Sequence, residues 1–233
     1  MNQHIGIVGV TAPGAALCYE VICTEAASLE TQDTSLEVSL HTHPFNKYLH
    51  RVEAGDWQGV ADLMLSSAAK LAQVGATLLV APCNTIHLAF DLVAPRSSLP
   101  WLHIAEEVAQ QAKRSGFQRL GVLGTKLVME SPVYRTKLES LGIECLIPAE
   151  FDRERINSFL FEEMAYGKFT SEARSYLLEV INQLQTENCD AIGLCCTEIP
   201  LLLEGVHTPL PLLDSTRILA RSALQRAMNS SAQ

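Results

Sequence analysis

Short apolar runs alternate with longer stretches of helical period along the whole chain. Ile5-Gly6-Ile7-Val8-Gly9, Leu36 to Leu40, Thr77 to Ala81, Leu120 to Gly124, Glu144 to Ile147 and Ala191 to Leu194 are too short for buried helices, and each predicts a strand. Between them apolar positions recur every three or four residues. That spacing predicts helices over Ala15 to Leu29, Trp57 to Val74, Ile104 to Ser115, Ser131 to Leu141, Arg153 to Gly167, Ser171 to Glu187 and Ser215 to Met228. Gly75, Gly116 and Gly142 stand where three of these helices end, in the left-handed position that L side chains avoid. Near-continuous apolar strands separated by amphipathic helices describe parallel sheets covered on both faces, an α/β architecture.

Three strand runs precede Pro100 and three follow Phe117. In each set the third run ends at a cysteine in a polar turn: Ala81-Pro82-Cys83-Asn84-Thr85 and Leu194-Cys195-Cys196-Thr197-Glu198. The chain reads as two similar halves, residues 1–98 carrying Cys83 and residues 99–214 carrying Cys196. Pro95 to Pro100 serves as a linker, and helix 215–228 packs back on the first half. Open parallel sheets bind ligands outside the carboxyl ends of their strands, where both cysteines fall. A helix is expected to start directly after each, with Asn84 or Thr85 capping the first and Pro200 near the first helical position of the second. The free N–H groups of such a helix start favour a thiolate.

With 48% apolar and 18% charged residues, the chain can bury a substantial core. A formal charge of −9 argues against nucleic acid or an anionic membrane surface as the main partner. The N-terminus lacks a signal segment and no apolar stretch is long enough to span a bilayer, so a cytoplasmic protein is expected. Seven cysteines without C-x-x-C or zinc-site spacing fit free thiols in a reducing compartment, not a disulfide framework. Cys18, Cys23, Cys145 and Cys189 are expected to be small buried hydrophobes. Cys195 must face away from Cys196, because neighbours on a strand point to opposite sides. His41 and His43 share a strand face but have no third ligand to make a metal site. His87 and His103 are assigned to hydrogen bonding in the core. Gly6-Ile7-Val8-Gly9 lacks the third glycine of a dinucleotide fingerprint and reads as a tight strand-to-helix turn.

Pro82-Cys83-Asn84-Thr85-Ile86-His87 resembles the first signature of the cofactor-independent aspartate/glutamate racemase superfamily, and Cys196-Thr197-Glu198-Ile199-Pro200 resembles its second. Matching segments run along the whole chain, among them Gly55-Asp56-Trp57, Leu102-His103-Ile104-Ala105, Gly124-Thr125 and Ile156-Asn157. The resemblance implies two Rossmann-like domains with the active site in the cleft between them, usually in a homodimer. It also implies amino-acid racemisation that needs no cofactor, neither pyridoxal phosphate nor a metal.

Cys83 and Cys196 are then opposed acid/bases, one on each face of the substrate Cα. A thiol suits the task because its ordinary pKa of about 8.5 keeps both protonation states within reach near neutral pH. Asn84, Thr85, Thr125 and Thr197 are candidate donors to the α-carboxylate. Glu198 is the candidate acceptor for the substrate ammonium, although its charge opposes a thiolate at Cys196. Departures from the family pattern bear on substrate. The loop Val10 to Ala16 lacks several polar side chains, Ala165 stands approximately where a lysine holds a distal carboxylate, and Val128 replaces a threonine. Lys47 and Arg51 are the remaining candidates to pair an acidic side chain. Aspartate, glutamate or a broader range of amino acids all stay open as substrates, with uncharged ones expected to be accepted. The alternatives are a non-catalytic or redox-sensing binding protein of the same fold, or a related cysteine-dependent isomerase or decarboxylase.

Overall fold

The computed structural model describes residues 3–29 and 36–230. The chain divides into two compact units: Met1–Ile104 with Thr216–Gln233, and Ala105–Ser215. The first contains β1 (Gln3–Gly9), α1 (Ala12–Leu29), β2 (Leu36–Thr42), α2 (Phe45–Glu53), α3 (Trp57–Gln73), β3 (Leu78–Val80), a 3₁₀ turn (Thr85–Ala89) and α4 (Phe90–Val93). α5 (Ile104–Arg114) leads into the second, which continues through β4 (Arg119–Gly124), α6 (Lys126–Glu130), α7 (Pro132–Glu139), β5 (Glu144–Leu146) and α8 (Glu150–Ser158). It then runs through α9 (Ser171–Thr186), β6 (Ala191–Cys195), α10 (Glu198–Leu202) and β7 (Leu212–Asp214). α11 (Ser215–Ser230) returns the chain to the first unit.

Both sheets are wholly parallel, as the apolar runs require. Their orders are β2-β1-β3 and β5-β4-β6-β7. The same order recurs because each unit starts on its central strand, adds a neighbour on one side, then crosses to the other. In β1 and β3 the side chains alternate between two cores. Ile5, Ile7, Leu78 and Val80 pack with Cys18 and Ile22 of α1 and with Leu219, Ala220 and Ala223 of α11. Val8, Leu79 and Ala81 pack on the opposite face with Val60, Met64 and Leu71 of α3. Burying one leucine or isoleucine side chain contributes about 1.5–3 kcal/mol, so α11 is a structural part of the first unit.

Three segments depart from the sequence expectations. Pro95 to Pro100, expected as a linker, makes a 3₁₀ turn at Ala94–Arg96 and then joins the first sheet through a parallel bridge between Trp101 and Leu79. The Pro100 carbonyl accepts from Leu79 N at 2.9 Å, just as the Pro211 carbonyl accepts from Ile192 N at 2.9 Å beside β7. Proline is tolerated because these are the outermost strands and only its carbonyl is used. The helix expected over Ser131 to Leu141 begins instead at Pro132, after Ser131 Oγ caps it by accepting from Val133 N. Past Ser158, the helix expected to run on to Gly167 loosens into a π turn (Phe159–Glu163) and a 3₁₀ turn (Met164–Tyr166). Gly75, Gly116 and Gly142 take the positive φ expected of them.

Gly124 ends β4 opposite Cys195, and a Cβ there lies 2.9 Å from the Cys195 carbonyl oxygen. Backbone cannot yield as a flexible side-chain tip can. Gly124→Ala is therefore expected to destabilise the protein by roughly 1–3 kcal/mol, as overpacking does. A lowered melting temperature by circular dichroism would show it, and an unchanged one would remove the steric argument.

Candidate active site

The Cys83 N–H donates to the Ala81 carbonyl at 2.8 Å, so the chain turns sharply once β3 ends. The thiol is half-buried at the carboxyl end of the sheet, against the core formed by Val8, Tyr48 and Ile86. Asn84 is buried at the cap of the 3₁₀ turn, where its carbonyl accepts from His87 N at 3.1 Å, but its side chain does not cap. Thr85 follows, half-buried. The His87 ring fixes this turn from the far side. Ile104 N donates to Nε2 at 3.3 Å, so Nε2 is the acceptor and the ring proton sits on Nδ1, which faces the Cys83 carbonyl at 2.9 Å. His87 is thus a neutral clamp on the Cys83 backbone, a hydrogen-bonding role as expected.

In the second unit Cys195 and Cys196 point apart, as strand alternation demands. Cys195 is buried beside Tyr134, and burial pushes its thiol far above the ordinary range. Cys196 turns to the other face and borders the core of Leu194, Ile199 and Leu202. Its Sγ donates to Glu198 Oε2 at 2.9 Å. Thr197 is buried at the cap of α10 without a side-chain cap bond. Thr125 has a structural task as well, since its Oγ1 caps α6 by accepting from Val128 N at 3.3 Å. Beside it Lys126 N donates to Asn157 Oδ1 at 2.9 Å, which ties the turn after β4 to α8. Asn157 was visible in the sequence as part of a family-like segment, but nothing there marked this contact.

The elements behind the cysteines are shorter than expected. After Cys83 comes a five-residue 3₁₀ turn, and after Cys196 the five-residue α10. Neither is long enough to carry much of a macrodipole, so any help to a thiolate comes from individual N–H groups. Arg51, offered by the sequence as a partner for an acidic substrate, pairs instead with Asp56, the residue that caps α3. Lys47 is exposed on α2, and Ala165 is exposed on the turn Met164–Tyr166. His41 at the end of the edge strand β2 and His43 just past it lie with ring centroids 4.9 Å apart. The Lys70 ammonium stands 3.0 Å from His41 Nε2, which makes the pair a poor cation site. Among the described residues no group of three or more His, Cys, Asp or Glu is disposed to hold a metal.

Two parallel sheets of one strand order, each presenting a cysteine turn at the carboxyl end of its third strand in sequence, define an α/β enzyme fold of duplicated design. The model of the Asp/Glu/hydantoin racemase family matches residues 6–223, and the chain belongs to that family. It is 26% identical over 163 residues to the broad specificity amino-acid racemase RacX of Bacillus subtilis, covering 69% of each chain. A candidate Asp/Glu racemase from Yersinia pestis superposes with a TM-score of 0.89 at 31% identity, covering 97% of this chain and 99% of that one. An aspartate racemase homologue from Pyrococcus horikoshii superposes at 0.82 with 26% identity, covering 98% of this chain and all of the other.

Accessibility and charge separate the seven thiols. Burial raises Cys18 to about 12 and Cys145 and Cys189 to about 11, and carries Cys195 higher still. Iodoacetamide on the native protein near neutral pH is expected to modify Cys83, Cys196 and the half-buried Cys23, while the other four react only on unfolding. Peptide mass spectrometry reads this directly, and fast labelling of Cys195 would contradict the opposed orientation of the pair.

Proposed function

We propose that the protein racemises amino acids at Cα without a cofactor, with Cys83 and Cys196 as its paired acid and base. The observation that carries this reading is the repetition of one cysteine turn at the same station of two matching sheets. Family membership and the similarity to a broad specificity racemase support it. One thiolate removes the α-proton and leaves a carbanion, while the opposing thiol delivers its own proton to the other face. The thiol that gave becomes the thiolate, and the reverse reaction uses the two in exchanged roles.

The contact at Cys196 suggests which is which in the free protein. Its thiol donates to Glu198, so it holds a proton ready to give, and the base falls to Cys83. Asn84, Thr85, Thr125 and Thr197 are neutral donors for the carboxylate of the substrate. With them the carbanion is stabilised by preorganised dipoles and not by a counter-charge. The reading also takes the protein as a cytoplasmic homodimer, as the family resemblance implies.

Cys83→Ser and Cys196→Ser should each abolish racemisation, because a hydroxyl is too weak an acid and base near neutral pH. One of the two should still exchange the α-proton of a single enantiomer in deuterated water, seen by NMR. Near-normal racemisation by both variants would end the two-thiol reading.

Substrate preference follows from the engagement of Arg51 with Asp56 and the exposure of Lys47 and Ala165. An acidic side chain bound without a paired charge is costly. Activity toward uncharged or mildly polar amino acids is expected to match or exceed that toward aspartate and glutamate. Steady-state kinetics on a panel checks this. A preference for an acidic substrate above about a hundredfold, or roughly 2.7 kcal/mol, would mean that a cation serves the site after all.

A further inference from the structure

Tyr48 is an oddity of the first unit. It is only 1% exposed, among the largest wholly enclosed side chains, yet its hydroxyl closes no hydrogen bond among the described residues. Buried hydroxyls left in that state are uncommon and costly. Phenylalanine would fill the same space without the cost. α2 carries the ring into the core that Cys83 borders. Burial is the main force raising its pKa, a polar contact with Ser67 opposes the rise, and the nearby Cys83 adds to it. The phenol therefore stays protonated and retains a proton to donate.

A directed series of hydrogen bonds leads to it. The Lys70 ammonium has only donors, so His41 Nε2, 3.0 Å away, is the acceptor. The ring proton then sits on Nδ1 and is given to Ser67 Oγ at 2.9 Å. Ser67 is itself fully buried and lies near Tyr48, although no hydrogen bond closes between the two hydroxyls. Lys70 and His41 each donate inward, and the Tyr48 O–H beyond them keeps a proton to donate.

We propose that Tyr48 is a positioning residue for the Cys83 thiolate: its hydroxyl donates to Cys83 Sγ when that thiol ionises, aimed by Lys70, His41 and Ser67. The inference rests on the reading of Cys83 as a base and says how that base is sustained beside a turn too short to supply a dipole. Other titratable groups bear on this region. His43 lies beside His41 and Lys47 lies near His43, and the neutral His87 clamps the Cys83 carbonyl. Partial burial, reinforced by the Lys70 charge, holds His41 and His43 below the ordinary histidine range, so both are neutral where Cys83 titrates.

The test is the pH dependence of Cys83 alkylation by iodoacetamide in the full-length protein, read by peptide mass spectrometry. Tyr48→Phe is expected to raise the apparent pKa of Cys83 by about one unit, so that its alkylation near pH 7 falls roughly tenfold. Cys196 should label as before, and the melting temperature should hold or rise because an unsatisfied hydroxyl is gone. Ser67→Ala should shift Cys83 in the same direction by less, and it serves in place of Tyr48→Phe if that variant does not fold. An unmoved Cys83 profile in a folded variant overturns the proposal. Thiol reactivity is measured without turnover, so a failed racemase assay leaves this result standing. Racemisation with an unmoved profile would keep the proposed function and discard the role of Tyr48.

Discussion

Each unit depends on a central strand that is hydrogen-bonded along both edges. β1 takes β2 on one side and β3 on the other, and β4 does the same with β5 and β6. A strand so placed must be apolar on both faces and must let its neighbours come close, which is why glycines interrupt the aliphatic residues. At Gly6 a Cβ meets Leu79 Cδ2 at 2.7 Å, and at Gly124 it meets the Cys195 carbonyl. The same close approach sets where the third strand ends, and with it where the cysteine turn begins. The position of each cysteine turn is thus inherited from backbone packing within its sheet.

The two halves repeat one plan but have diverged in how they hold their thiols. Cys83 is fixed through its backbone, by the turn to Ala81 and the His87 clamp. Cys196 is fixed through its side chain, by the bond to Glu198. Under the proposed two-thiol reading such asymmetry decides which proton is absent, since two identical settings give no preference. Under the same reading the Glu198 carboxylate beside Cys196 favours its protonated form and biases the pair.

Much of the architecture was legible from periodicity because the strands are buried on both faces and the helices on one. Boundaries held best where a chemical stop was present, as at Gly75, Gly116 and Gly142. Short elements were missed. The Trp101 bridge and the brief outer strand β7 each directly follow a proline, a residue that argues against a strand when read locally. The clue lay in comparison: Leu99-Pro100-Trp101-Leu102 and Leu210-Pro211-Leu212-Leu213 repeat at corresponding places. The cysteines and their polar neighbours were readable as motifs. Tyr48, Ser67 and His41 were not, since they come together from α2, α3 and β2, and only the fold shows that the Tyr48 hydroxyl closes no hydrogen bond among the described residues. Arg51 misled for a related reason, because five residues on waits Asp56, whose capping position could not be seen without the turn between them.

The placement of α11 bears on how the protein comes into being. Its Leu219, Ala220, Ala223 and Ala227 cover Ile5, Ile7, Leu78 and Val80, so one face of the first sheet is finished by a helix that follows the whole second unit in sequence. During synthesis β1 and β3 leave the ribosome before their cover exists. The second unit, whose own strands and helices are contiguous in sequence, has its parts complete while the first still exposes an apolar face. The unit whose strands come earlier is therefore the one that waits to close its core, until α11 has followed the second unit out.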